Sequence, residues 1–260
     1  MMKIAFMANF TRTVICVALV SGLLLFPGAS QAVTLSFTGS GTNTYSGNSN
    51  PLSAGVVFDY NGAGLLTVTL QNTVAGGAYV PSDVLTSVLW TDSSGVSITP
   101  SSAALGAGST LTNAPGSYDL GKEGEYSGSI SGPSGTNSGI STSGLGLFGS
   151  GNFSPGGNPT DGMNYGIISG VNGAANPAVN GGIFALDTMV FTLSVGAGFN
   201  LSSISNVFFQ YGTALDEPRL TGVPGGGGGV PEPGLVALLI SMGGGGTFVG
   251  LKRRLSLRKL

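Results

Sequence analysis

Between residues 33 and 222 apolar and polar side chains alternate in short runs, and clusters of Gly, Ser, Asn and Pro separate the runs. Alternation of period two marks a strand with one buried face. Val33, Leu35 and Phe37 alternate with Thr34, Ser36 and Thr38. Val56 to Tyr60 runs into Asn61-Gly62, a hairpin signal. Leu66, Val68 and Leu70 alternate with Thr67, Thr69 and Gln71, and Val84 to Trp90 forms a further run after a turn at Pro81-Ser82-Asp83. Met189, Phe191, Leu193 and Val195 share one face of 188–195, as do Val207, Phe209 and Tyr211 of 205–212. Weaker strands are predicted at 96–99, 125–130, 140–148, 163–169 and 183–186. No helix-length stretch with a 3.6-residue period interrupts them. About ten short strands in about 190 residues predict an all-β, two-sheet antiparallel sandwich, jelly-roll-like in plan. The Gly-, Ser-, Pro- and Asn-rich segment 131–160 is predicted to be a loop excursion with one strand embedded.

The two ends break this pattern. Lys3 and Arg12 precede an apolar run, Val14 to Phe26; Pro27-Gly28 stops it, and Ser30-Gln31-Ala32 puts small residues at the −3 and −1 positions of a cut. This is the three-part order of a secretory signal peptide, so 1–32 is predicted to be a cleavable signal helix removed by signal peptidase after Ala32. At the other end a Gly-rich linker, 223–229, leads to Val230, Pro231, Glu232, Pro233 and Gly234. An apolar transmembrane segment, 235–251, follows, then Lys252, Arg253 and Arg254 and a basic cytoplasmic tail, 255–260. An uncharged helix over Gly234 to Leu251 would be about 27 Å long, near the thickness of a bilayer's hydrocarbon core. Terminal cations stay in the cytoplasm, which puts the body 33–222 outside. Gly243 to Gly246 in mid-span weakens the segment as a permanent anchor.

Pro-Glu-Pro, an apolar span and an Arg cluster, in that order over 230–254, resemble the PEP-CTERM sorting signal that exosortases recognise in Gram-negative bacteria. The resemblance implies that Val230 to Gly234, with Lys252, Arg253 and Arg254, form the sorting motif. It also implies that the chain is held only transiently in the inner membrane, cut near the motif, and passed to the cell surface or the extracellular space. Two prolines keep the motif out of a helix, where a membrane protease can reach it. The segments Leu65 to Thr73, Pro81 to Leu89, Gly144 to Gly149 and Val207 to Leu215 also resemble one group of exosortase-dependent surface proteins. That group lends no activity; its likeness bears on location and fold.

Composition narrows the chemistry further. The chain has 260 residues, 47 of them Gly, only 8% charged and no His. Without His there is no Ser-His-Asp triad and no His-ligated zinc. The lone cysteine, Cys16, lies in the predicted signal, so the exported part has no thiol. The nominal charge of −2 hides an asymmetry. The body carries ten acids against Lys122 and Arg219, a net −8, and so repels nucleic acid. Gly144-x-Gly146-x-x-Gly149 matches a dinucleotide fingerprint by letters only, because Ser150 to Pro155 cannot open the required helix. Glu123 and Glu125 are expected at a solvated edge with Lys122, and Asp216-Glu217 in a loop with an ion pair to Arg219. No cofactor is expected, calcium being the one candidate. Asp59, Asn61, Asp161 and Asn164 in Gly-rich turns would supply its hard oxygen ligands, although turn chemistry explains them equally. Trp90 with Tyr60, Tyr79, Tyr118, Tyr126, Tyr165 and Tyr211 offers a sugar-stacking set, with Trp90 itself expected in the core. The expectation is a non-enzymatic surface or extracellular-matrix protein, structural or adhesive, of the kind found in biofilms. A carbohydrate-binding module for extracellular polysaccharide is the alternative, and a carboxylate-dependent glycan hydrolase is a third reading.

Overall fold

The computed structural model describes residues 33–149, 151–157, 160 and 162–225. The predicted signal peptide with Ala32, the sorting motif Val230 to Gly234, the span 235–251 and Lys252, Arg253 and Arg254 lie outside these residues. Among the described residues no helix is long and apolar enough to cross a membrane.

The body is two sheets, antiparallel but for one short pair, as the alternation predicts. The first sheet contains β1 (Val33–Asn43), β2 (Asn50–Tyr60), β3 (Leu65–Asn72), β5 (Ile98–Leu105), β10 (Thr188–Val195) and β13 (Val223–Pro224). Their order is β13-β1-β2-β3-β10-β5. The second sheet runs β12 (Arg219–Thr221), β11 (Ile204–Tyr211), β4 (Leu85–Asp92), β7 (Ser138–Ser141) and β6 (Glu125–Ser127). The short β8 (Ile167–Ile168) pairs with β4 and, in parallel, with β9 (Ala185–Leu186). The six strong alternating runs all become strands. Of the weaker ones, 96–99 becomes the longer β5, and the other four appear in shortened form as β6, β7, β8 and β9. The β1–β2 hairpin reaches further than expected, and β12 and β13 were not anticipated; β13 takes the first two residues of the expected linker.

Register explains the core. Phe37, Val56, Leu70, Met189 and Leu105 stand side by side across the first sheet, and Leu35, Phe58, Val68, Phe191 and Ala103 form the next row. Leu220, Phe209, Val88, Ile140 and Tyr126 form the facing row of the second. Trp90 is fully buried between them, edge-on to Phe58 at 5.3 Å and stacked on Tyr126 at 6.1 Å. Burying each such side chain contributes about 1.5–3 kcal/mol.

The outward rows differ between the sheets. On the first sheet they are largely hydroxyls: Thr34, Asp59, Thr67, Thr192 and Ser102 in one row, Ser36, Val57, Thr69, Val190 and Ala104 in the next. On the second sheet the outer face is covered as well. Leu89 and Phe208 pack there with Ile130, Leu147 and Phe148 as a second small core. Gly139 makes this possible, since a Cβ at that position would lie 2.8 Å from Leu89 and 3.1 Å from Phe148. Strand β4 is therefore buried on both faces from Leu85 to Trp90, which is why its sequence shows no clean alternation.

Candidate functional site

The covered face of the second sheet holds an unusual polar row. Arg219, Gln210, Ser87, Ser141 and Glu125 are direct neighbours on β12, β11, β4, β7 and β6, and Asn152 bridges to Glu125 beyond the edge. Direct neighbours in an antiparallel pair share a face, so the row lies on the same side as Leu89 and Phe208. All but Arg219 and Asn152 are buried.

Most of the row is internally satisfied. Gln210 Nε2 donates toward the carbonyls of Tyr211, Ala214, Glu217 and Pro218, tying down the loop 212–218. The hydroxyls of Ser87 and Ser141 bond each other. The Ser143 N–H donates to Ser141 Oγ at 2.9 Å, and Ser141 Oγ lies 2.5 Å from the Ser143 carbonyl. Two groups of the row are not satisfied: Gln210 Oε1 is buried without a partner, and Glu125 is 1% exposed with no hydrogen-bond partner on either carboxylate oxygen. The hydroxyls of Ser143 and Thr160 are buried and unpartnered too.

The other buried acid shows what satisfaction looks like. Asp83, 3% exposed, ends a single turn of 3-10 helix (Pro81–Asp83) where the chain crosses from the first sheet to the second. Its Oδ1 accepts from Asn43 Nδ2 at 2.6 Å. Its Oδ2 accepts from Asn50 Nδ2 at 2.8 Å and from the N–H groups of Tyr79 and Val80 at 3.0 and 3.2 Å. Asn43 and Asn50 face each other at the tip of the β1–β2 hairpin, so this carboxylate pins that tip to the crossing.

The expected acids separate. Glu123 ends the turn α1 (Leu120–Glu123), whereas Glu125 starts β6 and points inward. The solvated edge predicted for the two holds for neither, since Glu123 is half-buried and Glu125 is buried. Glu217 turns to backbone, accepting from Thr213 and Ala214 N–H groups, and Arg219 instead lies over the Phe208 ring at 5.6 Å. Among the calcium candidates, Asn61 Oδ1 accepts from the N–H groups of Ala63 and Leu65 and closes the β2–β3 turn. Asn164 Oδ1 accepts from the Ile183 N–H. Asp59 stands on the outer face of β2, and Asp161 is outside the described residues. Among the described residues no three His, Cys, Asp or Glu side chains are grouped to hold a metal. Gly144 to Phe148 is a tight turn in which Leu147 and Phe148 donate to the Gly144 carbonyl. No helix follows it, so the fingerprint spelling carries no phosphate cradle.

The aromatic set is divided as well. Trp90, Tyr126 and Tyr211 are core residues, Tyr60 packs edge-on to Phe199 at 5.2 Å, and Tyr118 is exposed. Burial pushes the Tyr126 hydroxyl up to about 12, and it raises Tyr211 further. Sequence reasoning missed the inward turn of Glu125. A Glu two residues from another acid beside a Lys reads as surface, and nothing local reveals that a segment 20 residues later will cover it. Comparison with protein-family models, with curated proteins and with solved structures gave no match.

Proposed function

We propose that this chain is an exported structural or adhesive protein of the cell surface or extracellular matrix. A signal peptide cut after Ala32 would carry it out. The span 235–251 would hold it in the inner membrane until an exosortase acts at Val230 to Gly234. One observation carries this reading. The first strand opens at Val33 and the last closes at Pro224, and these two strands pair with each other through Phe37 and Pro224. Both proposed sorting tracts thus join a body whose first and last described strands pair, and a Gly-rich stretch of sequence separates the motif from the last of them. The weave of the chain also suits the jelly-roll-like reading. It passes from β3 in the first sheet to β4 in the second, back to β5, over again to β6 and back to β10. Buried aromatics and hydroxyl-rich outer rows fit a body that meets water or matrix through polar, uncharged surface.

The test is deletion of Pro231 to Pro233 in a host that carries the exosortase. The expected result is loss of C-terminal trimming and retention in the membrane fraction, read by intact mass and fractionation. Unchanged trimming and surface display would refute the sorting assignment. The hydroxyl rows of the first sheet favour a second reading, a module for neutral polysaccharide. Its test is a glycan array with and without EDTA, and an array without binding refutes it.

A further inference from the structure

We propose that Glu125, with the buried hydroxyls of Ser143 and Thr160, anchors a calcium site on the covered face of the second sheet. This goes beyond the export reading and does not rest on it. Of the two buried acids among the described residues, Asp83 holds four hydrogen-bond donors and Glu125 holds none. A carboxylate withdrawn from water stays ionised only where donors or a cation offset a cost of several kcal/mol, and a bound cation would supply that offset here. No basic side chain of the body serves: Lys122 is exposed and Arg219 covers Phe208.

Other oxygens follow Glu125 along one run of contacts. Ser141 is its direct neighbour on β7. Ser143 folds back onto Ser141 through its N–H, and its own hydroxyl is unpartnered. The next residue, Gly144, approaches the carbonyl of Thr160 so closely that a Cβ would stand 2.6 Å from that oxygen. The Thr160 hydroxyl is unpartnered as well. Both hydroxyls belong to residues more than nine-tenths buried. A carboxylate, hydroxyls and nearby carbonyls are the donor set of a hard cation. Calcium accepts six to eight such oxygens in irregular geometry, whereas magnesium demands a near-octahedral shell and keeps its waters. Asp119 and Glu123, flanking this acid in sequence with Lys122 the only base, make the local field negative.

The experiment uses the full chain stripped with EDTA. Terbium, a calcium substitute, is added and its luminescence excited through Tyr126, the residue after Glu125, and through Trp90 stacked on it. The expected result is sensitised emission that calcium displaces, with a dissociation constant of about 10⁻⁴–10⁻³ M as in extracellular modules. Calcium should also raise the melting temperature beyond the effect of NaCl at equal ionic strength. Glu125→Gln should abolish both responses, and Asp59→Asn, altering an outward-facing acid at the edge of the β2–β3 turn, should abolish neither. Three results would each overturn the proposal: no terbium emission from the parent, equal stabilisation by NaCl, or undiminished calcium binding by Glu125→Gln. If that variant does not fold, Ser143→Ala replaces it and must weaken calcium binding several-fold.

Discussion

Replacing Asp83 by Ala removes a single carboxylate on which four donors converge. Two are side-chain amides at the tip of the β1–β2 hairpin, and two are backbone N–H groups just before the turn that crosses to the second sheet. Hydrogen bonds to a charged group contribute about 1.5–3 kcal/mol each, and a buried donor left unpaired costs about 1–3 kcal/mol. A plain sum overstates the loss. The amide of Asn43 keeps a bond to Ser82 Oγ at 2.9 Å, and Asn50 is only half-buried, so water reaches it once the carboxylate is gone. The expected destabilisation is about 3–5 kcal/mol, a large part of the roughly 5–15 kcal/mol typical of a domain. Asp83→Asn should cost less, about 1–3 kcal/mol. Its carbonyl can stay with the three donors on the Oδ2 side, and only its NH₂ then opposes the Asn43 amide. The assay is urea unfolding of the body, residues 33–225, followed by Trp90 fluorescence and by far-ultraviolet circular dichroism. A midpoint shift at constant slope is the required form. Asp216→Ala, at an exposed loop position, serves as the control and should stay within about 0.5 kcal/mol of the parent. An Asp83→Ala variant as stable as that control would refute the idea that the carboxylate fastens the hairpin to the crossing.

Other outcomes follow from the same packing. Gly139→Val should cost about 1–3 kcal/mol, because its side chain would enter the space of Leu89 and Phe148; urea midpoints for Gly139→Val against the parent check it. Leu89→Ala should cost about 2–5 kcal/mol, although Leu89 lies on the outer face of its sheet, because that face is itself a core. A loss below about 1 kcal/mol would mean that the excursion does not cover β4. Alkaline stability should fall above the pH where unfolded tyrosines ionise. Tyr126 holds its proton to about 12 when folded and to about 10 when unfolded. Between these values the unfolded chain binds fewer protons, so stability declines as pH rises, by up to about 1.4 kcal/mol per pH unit from this residue. Below pH 10 the contribution is complete. Tyr211 acts in the same direction, and tyrosinate absorbance should rise for both only together with unfolding.

The fold was legible where one face of a strand is wet. β1, β3 and β10 carry period-two patterns because their alternate residues meet water or the core, and those patterns located them. The sequence was less explicit where a strand is covered twice. Thr86, Ser87 and Gln210 look like surface residues, yet they lie buried on strands whose outer side the 142–160 excursion and the loop 212–218 close off. Their burial depends on segments far away in the chain, and no local window reports it. Glu125 was misread for the same reason. Short β12 and β13 escaped because three and two residues are too few to establish a period, and both owe their existence to neighbours already in place.

Charge is sparse in this body, and its placement follows a rule that sharpens the functional argument. Asp83, Asp92, Asp119 and Glu217 each accept from backbone N–H groups or from Asn or Ser side chains within a few residues of a chain reversal. Acids in these places act as caps for turns, doing the work that helix ends and long buried runs do in other proteins. With these four charges committed to turns, the outer rows of the first sheet present mainly hydroxyls, with Asp59 the one acid among the residues named there. Such a surface has few long-range electrostatic features with which to select a charged ligand. Recognition, if it occurs on this sheet, must come from hydrogen bonding over an extended neutral area, which suits a matrix component better than a small substrate in a cleft. Glu125 departs from the rule in a buried place: it caps no turn, meets no base and lies on the covered face of the second sheet. A cation at that point would fasten the residues around Ser143 and Thr160 to the sheet, and so link the stability of the body to the ionic composition of its surroundings.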